Sequence, residues 1–203
     1  MARKRSAILS SSRISFSNNI IRGCPIGINA GATQGTAETI HDVTITGNIV
    51  TADDPIARTG TGILVRGNLN NYAYNVVVSN NVLDGYGIAG NDSSGAFTAY
   101  TTGGLVVVTN LIKSSAEAAV SFISHNTSFN CSGNLVDGVI SSTAAYAIIV
   151  RGGDNDGVIV ANRVAGLPIY VNPDPSNHVT VADNALVSPG QERRTAAGQQ
   201  SSR

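Results

Sequence analysis

Tryptophan is absent from the 203 residues, methionine occurs once, and cysteine twice. Aromatic side chains make up only 5% of the chain, which excludes a broad core plugged by large rings. The apolar share is nevertheless 42%, so it must come from Val, Ile, Leu and Ala, residues that suit thin stacked strands. Charged residues are scarce at 13%, against about 25% in ordinary domains, and the surface therefore relies on Asn, Ser, Thr and Gly. Basic and acidic residues balance at 13 each, which points to neither nucleic acid nor an anionic membrane as partner. No apolar run approaches the ~20 residues of a membrane span. The basic start Met1–Ser10 carries only Ala7-Ile8-Leu9 as an apolar segment, too short for a secretory signal peptide.

What the chain has is a repeated phrase. Val76-Val77-Val78-Ser79-Asn80-Asn81-Val82 reads as a strand whose side chains alternate between two faces, an asparagine corner and the start of a second strand. Ile14–Ile20, Val43–Ile49, Ser121–Thr127, Val158–Val164 and Val179–Ala185 repeat it. In this reading Val76, Val78, Val158, Val160, Val179 and Val181 point inward. A second phrase follows most copies: Gly27-Ile28, Gly62-Ile63, Gly87-Ile88, Ala147-Ile148 and Pro168-Ile169. The order is kept while loop lengths vary, which is the mark of a solenoid with one coil per repeat. Cys24 and Cys131 each lie five residues past a corner asparagine. Three coil steps of about 4.8 Å would hold them apart, too far for a disulfide, so both read as free thiols.

The arrangement resembles the right-handed parallel β-helix superfamily, which includes pectate-lyase-like enzymes, C5-epimerases and phage tailspikes. The resemblance covers residues 13–187 and implies an all-β, right-handed parallel β-helix solenoid of about six coils. Residues 1–12 read as a flexible lead-in and 188–203 as a disordered tail. The region 89–120 is the least regular; Leu105–Leu111 forms a strand and corner there, and Lys113–Ala119 suggests a helical turn. No amphipathic helix caps either end, so a homotrimer or additional domains would cover them.

Asn19, Asn48, Asn81, Asn126 and Asn184 are corner residues expected to form a structural ladder of stacked amides, with Asn tolerating a left-handed backbone. On this reading Asn48→Ala and Asn81→Ala destabilise the fold and Asn70→Ala does not. Asn126-Thr127-Ser128 matches a glycosylation sequon, but a ladder asparagine faces inward. With Ile63 and Val65 inside, Gly31, Arg66, Asn91, Arg151 and Asn172 form one outward column. Its arginines could grip carboxylates, and Tyr72 and Tyr74 on the preceding loop could stack on sugar rings. Arg66, Tyr72, Tyr74, Asn91 and Arg151 are thus the candidate ligand residues, set against a plain solvated face.

Asp53, Asp54 and Asp84 are candidate acids for glycoside chemistry. The Asn-Thr-Asp, Gly-His-Gly and Arg-Ile-Lys partners of polygalacturonases have no counterparts, and Asp53-Asp54-Pro55 reads equally as a turn. Asp154–Gly157 could supply oxygen ligands to Ca²⁺, although no motif supports this; no other cofactor is implied, and His41, His125 and His178 lack metal-ligand spacing. The resemblance implies a carbohydrate-directed protein, extracellular or virion-associated, with a polysaccharide or cell-surface glycan as partner. A polysaccharide lyase or hydrolase with Arg66 as basic partner, and a purely structural solenoid, remain as alternatives.

Overall fold

The computed structural model describes residues 6–8, 12–31, 39–53, 60–68, 71–88, 90–91, 94–139 and 145–187. Asp54, Asn70 and the 188–203 tail lie outside them. The described residues contain 21 strands and no helix, and the strands pair with their neighbours in parallel. They form three columns of seven, in a solenoid-like arrangement.

A first face stacks Ser12–Ser17, Ile40–Thr46, Ala73–Ser79, Val106–Val108, Phe129–Ser132, Asp156–Val160 and His178–Ala182. A second face stacks Ile20–Arg22, Ile49–Thr51, Val82–Asp84, Leu111–Ser115, Leu135–Val139, Arg163–Ala165 and Ala185–Val187. A third stacks Ser6–Ile8, Ile26–Gly31, Thr61–Arg66, Phe97–Gly103, Val120–Thr127, Ile148–Arg151 and Ile169–Val171. The third and first faces are continuous because Phe97–Gly103 bends round their shared corner, pairing first with Thr61–Arg66 and then with Ala73–Ser79.

Period-two alternation explains the core. Phe16, Ile45, Val78, Val107, Cys131, Ile159 and Val181 occupy one register column of the first face. All point inward, and Ile45, Val78, Val107, Cys131 and Ile159 are fully buried. Val76 and Val78 are therefore inside as expected, but Val158 and Val160 are not: Ile159 takes the inward place and its neighbours stand outward. The copy is offset by one residue, and one residue changes the face. Val181 shares the inward column yet is 45% exposed, since among the described residues no strand of the first face stacks beyond it.

Burial of this kind also seals the thiol of Cys131. Desolvation pushes it up to about 12, although Asn134 Nδ2 donates to its Sγ at 3.5 Å. Neither Cys131 nor Cys24 is in a disulfide.

Between first and second faces the chain turns on two residues every time. Asn18, Gly47, Asn80, Thr109, Gly133, Ala161 and Asp183 have φ between 53° and 68°, and each is followed by an asparagine. The left-handed residue is thus the one before the ladder amide, not the amide itself. The asparagines form one unbroken ladder: Asn19, Asn48, Asn81, Asn110, Asn134, Asn162 and Asn184. Each Oδ1 accepts both the backbone N–H and the Nδ2–H of the rung before it, at 2.9–3.0 Å. Nδ2 also donates to a strand carbonyl, as Asn81 does to Ile45.

Asn126 belongs elsewhere. With Thr102, Asn155 and Asn177 it forms a second, shorter ladder at the corner between third and first faces. The segment Ser121–Thr127 is accordingly part of the third face. The strand that follows Val76–Ser79 on the first face is Val106–Val108, so residues 105–111 are a regular turn of the solenoid. Lys113–Ala119 is not helical: Leu111–Ser115 is a strand, followed by a bend.

Candidate functional site

The corner between third and first faces gathers the most unusual side chains. Thr61–Arg66 ends at Arg66, and Asn68 and Asn71 close a tight reversal through reciprocal backbone hydrogen bonds of 2.8 and 3.0 Å. The reversal works because Gly67 has no side chain. A Cβ there would meet the carbonyls of Asn71 and Thr101 at 2.5 Å and the Ala73 nitrogen at 2.7 Å. The chain then enters the first face through Tyr72 and Tyr74, whose rings stack at 5.8 Å and 27°. Tyr74 lies against Gly103 in the next coil and remains 45% exposed.

Arg66 is held from the other side. Its stem lies over Gly31, where a Cβ would sit 2.5 Å from Arg66 Cγ and 3.1 Å from Asn29 Oδ1. Arg66 Nε and Asn29 Oδ1 are both shut from solvent and have no hydrogen-bond partner among the described residues. No carboxylate among them pairs with Arg66. Tyr100 follows Arg66 in register; burial raises its hydroxyl pKa, and the charge of Arg66 opposes the rise. In the preceding coil His41 Nδ1 lies 3.0 Å from Asp42 Oδ2, and His41 pairs in register with Tyr74. Hydrogen bonds from His41 and then Asn75 hold the Asp42 carboxyl below its usual range.

The other expected site residues are dispersed. The outward column reads Gly31, Arg66, Tyr100, Ile123, Arg151, and Asn91 is not in it. Asn91 instead bridges Ile88 in the connection from second to third face. Arg151 lies three coils from Arg66, with Tyr100 and Ile123 between. The neighbouring outward positions Leu64, Thr98, Ser121 and Ile149 are buried, so the third face is not an open surface along its length. Asp53 leans over Gly23 where second and third faces meet, and Asp84 ends a second-face strand. Both are across the third face from Arg66, and no acid–arginine pair is assembled from them.

Asn29 is a member of this corner that the sequence did not mark; its register with Leu64 was the available signal. Glu117 was also overlooked as an acid. It is buried and accepts a 2.8 Å hydrogen bond from the Gly90 N–H. Among the described residues no three His, Cys, Asp or Glu side chains group to hold a metal ion, and no helix is long and apolar enough to cross a membrane. An arginine fixed by packing and lacking a counter-charge among the described residues, beside two stacked phenol rings, can bind an anion attached to a flat or ring-shaped body. No family model matches the chain, and no curated protein matches it.

Proposed function

We propose that this chain is a carbohydrate-directed member of the right-handed parallel β-helix, pectate-lyase-like superfamily, tailspike-like or polysaccharide-associated, acting extracellularly or on a virion. The right hand follows the strong general preference of parallel crossovers; the carbohydrate reading rests on fold analogy and on one corner. There an acidic sugar would place its carboxylate on the outer edge of the Arg66 guanidinium and its ring against Tyr74.

The observation that carries the proposal is Arg66, which has no counter-charge among the described residues. Its stem is locked over Gly31 and its Nε is closed off, so little side-chain entropy remains to be lost when its free edge grips a carboxylate. Hydrogen bonds to a charged group are worth about 1.5–3 kcal/mol, and Tyr74 adds a ring face with a polar tip.

Titration calorimetry with polygalacturonate as acidic probe and dextran as neutral probe tests this. Wild type should bind the acidic polymer in preference. Arg66→Gln should weaken that binding about tenfold or more, about 1.4 kcal/mol, with the melting point nearly unchanged. Arg151→Gln, three coils away, should have a smaller effect. A folded Arg66→Gln variant with undiminished affinity, or a wild type that ignores the acidic polymer, would overturn the proposal.

A further inference from the structure

The outward side of the second face carries an ordered aliphatic stripe. Ile20, Ile49, Val82, Leu111 and Leu135 fall in one register column, followed by Arg163 and Ala185. Ile20 is 65% and Ile49 40% exposed, and the other three are partly exposed. The inward column beside it, Ile21 through Val164, is buried, so these five are surplus to the core. At about 4.8 Å per coil the stripe is roughly 19 Å long. A contiguous apolar row of this kind on a chain otherwise coated with Asn, Ser and Thr marks an interaction surface. Its approach is unobstructed along one side, because every corner between first and second faces is the same two-residue turn.

The occupant is indicated by the column next to it. Two residues further along each strand stand Arg22, Thr51, Asp84, Lys113 and Asp137, carrying positive, neutral, negative, positive and negative charge in order. Placing a second copy on this face with a two-fold axis along the strand direction, between the Val82 and Leu111 coils, inverts the order of coils. Lys113 then meets Asp84 of the other copy twice over, Val82 meets Leu111, and Ile49 meets Leu135. Moving the axis by half a coil instead sets Lys113 against Lys113 or Asp84 against Asp84. The signs also admit an axis between the Leu111 and Leu135 coils, where Lys113 meets Asp137, but that axis sets Val82 against Arg163. Only the first arrangement matches four aliphatic residues together with the charges, and it is the self-complementary, isologous one.

We infer that the second face is a dimerisation surface for a second copy of this chain, with the two solenoid axes antiparallel. The strip is only three residues wide, so the interface belongs to the small class below about 1,200 Å² in total. The dimer is weak, and it loosens with salt because its charge pairs are at the rim.

Sedimentation equilibrium of the whole chain over a wide concentration range tests the inference. Wild type should show a reversible monomer–dimer equilibrium that weakens as sodium chloride is raised. Lys113→Glu should raise the dissociation constant about tenfold or more, and Asp84→Lys combined with Lys113→Glu should restore it to within about threefold, each tenfold being about 1.4 kcal/mol. Leu111→Gln should abolish the dimer. Circular dichroism would verify that each variant is folded; should Lys113→Glu fail to fold, the salt response of wild type and Leu111→Gln decide the matter. A wild type that stays monomeric, a trimer, or a dimer indifferent to salt and to Lys113→Glu would overturn the inference.

Discussion

Phe122→Ala should be the most damaging single truncation in the chain, lowering stability by about 3–5 kcal/mol. Phe122 is fully buried. Its ring stacks on Phe129 at 4.3 Å and 19° and meets the edge of Phe97 at 6.1 Å. These three rings fill the middle of a cross-section otherwise packed with Val and Ile. Their fit depends on small neighbours: Ala99 precedes Phe122 in register, and a Cβ on Gly157 would fall 2.6 Å from the Phe129 ring. Neighbouring branched side chains are short and stiff at χ1 and cannot reach into the space a missing ring leaves. Chemical denaturation read by circular dichroism would measure the loss; a change below about 1 kcal/mol, typical of a surface site, would show that the rings are not an organising cluster.

Asn81→Ala should cost about 3 kcal/mol, although it removes no apolar contact of consequence. Asn81 is fully buried. Its Oδ1 accepts two hydrogen bonds from Asn48, and its Nδ2 donates to Ile45 and to Asn110. Alanine strands the Asn48 N–H and the Ile45 carbonyl, where each unmet group costs about 1–3 kcal/mol. In a chain of this length the melting temperature should fall by roughly 10 °C. Ser15→Ala, at an exposed position on the first face, is the control and should be neutral within about 0.5 kcal/mol. Equal melting points for the two variants would remove the ladder from the energetic account.

Much of this architecture was legible in the residues. The alternation in Ile14–Ile20, Val43–Ile49 and Val76–Val82, each ended by an asparagine, sufficed to indicate parallel strands stacked as a solenoid. What failed was the assignment of faces. His125-Asn126 and Asn80-Asn81 share the same local chemistry, a left-handed residue followed by an amide, but they turn different corners, and nothing local distinguishes the two. Counting Ser121–Thr127 as a first-face strand hid the true one at Phe129–Ser132 with its corner Asn134, and made Leu105–Leu111 look like an irregular insertion. The offset at Val158 arose because Ala161-Asn162 was matched to the wrong one of two consecutive asparagines.

The candidate site was harder to read for a different reason. Register alone could pair Gly31 with Arg66, but the replacement of Asn91 by Tyr100 and Ile123 depends on the path of the 85–96 connection. The closing of the outward side at Thr98, Ser121 and Ile149 likewise depends on tertiary packing. Solenoid strands are specified by period; the loops that decide which surface is reachable have none.

The asparagine ladder also gives the molecule a mechanical polarity. Its amides all face the same way, each rung donating to the next toward the C-terminus, and rung-to-rung spacing is uneven in chain length. A molecule pulled from its C-terminal end should yield coil by coil, like a zip with teeth of unequal size. From that end the successive rungs are separated by 22, 28, 24, 29, 33 and 29 residues. At up to ~3.6 Å per residue, an optical trap would record extensions of roughly 80–120 Å in that order, so that the force trace spells out the repeat lengths of the chain in reverse.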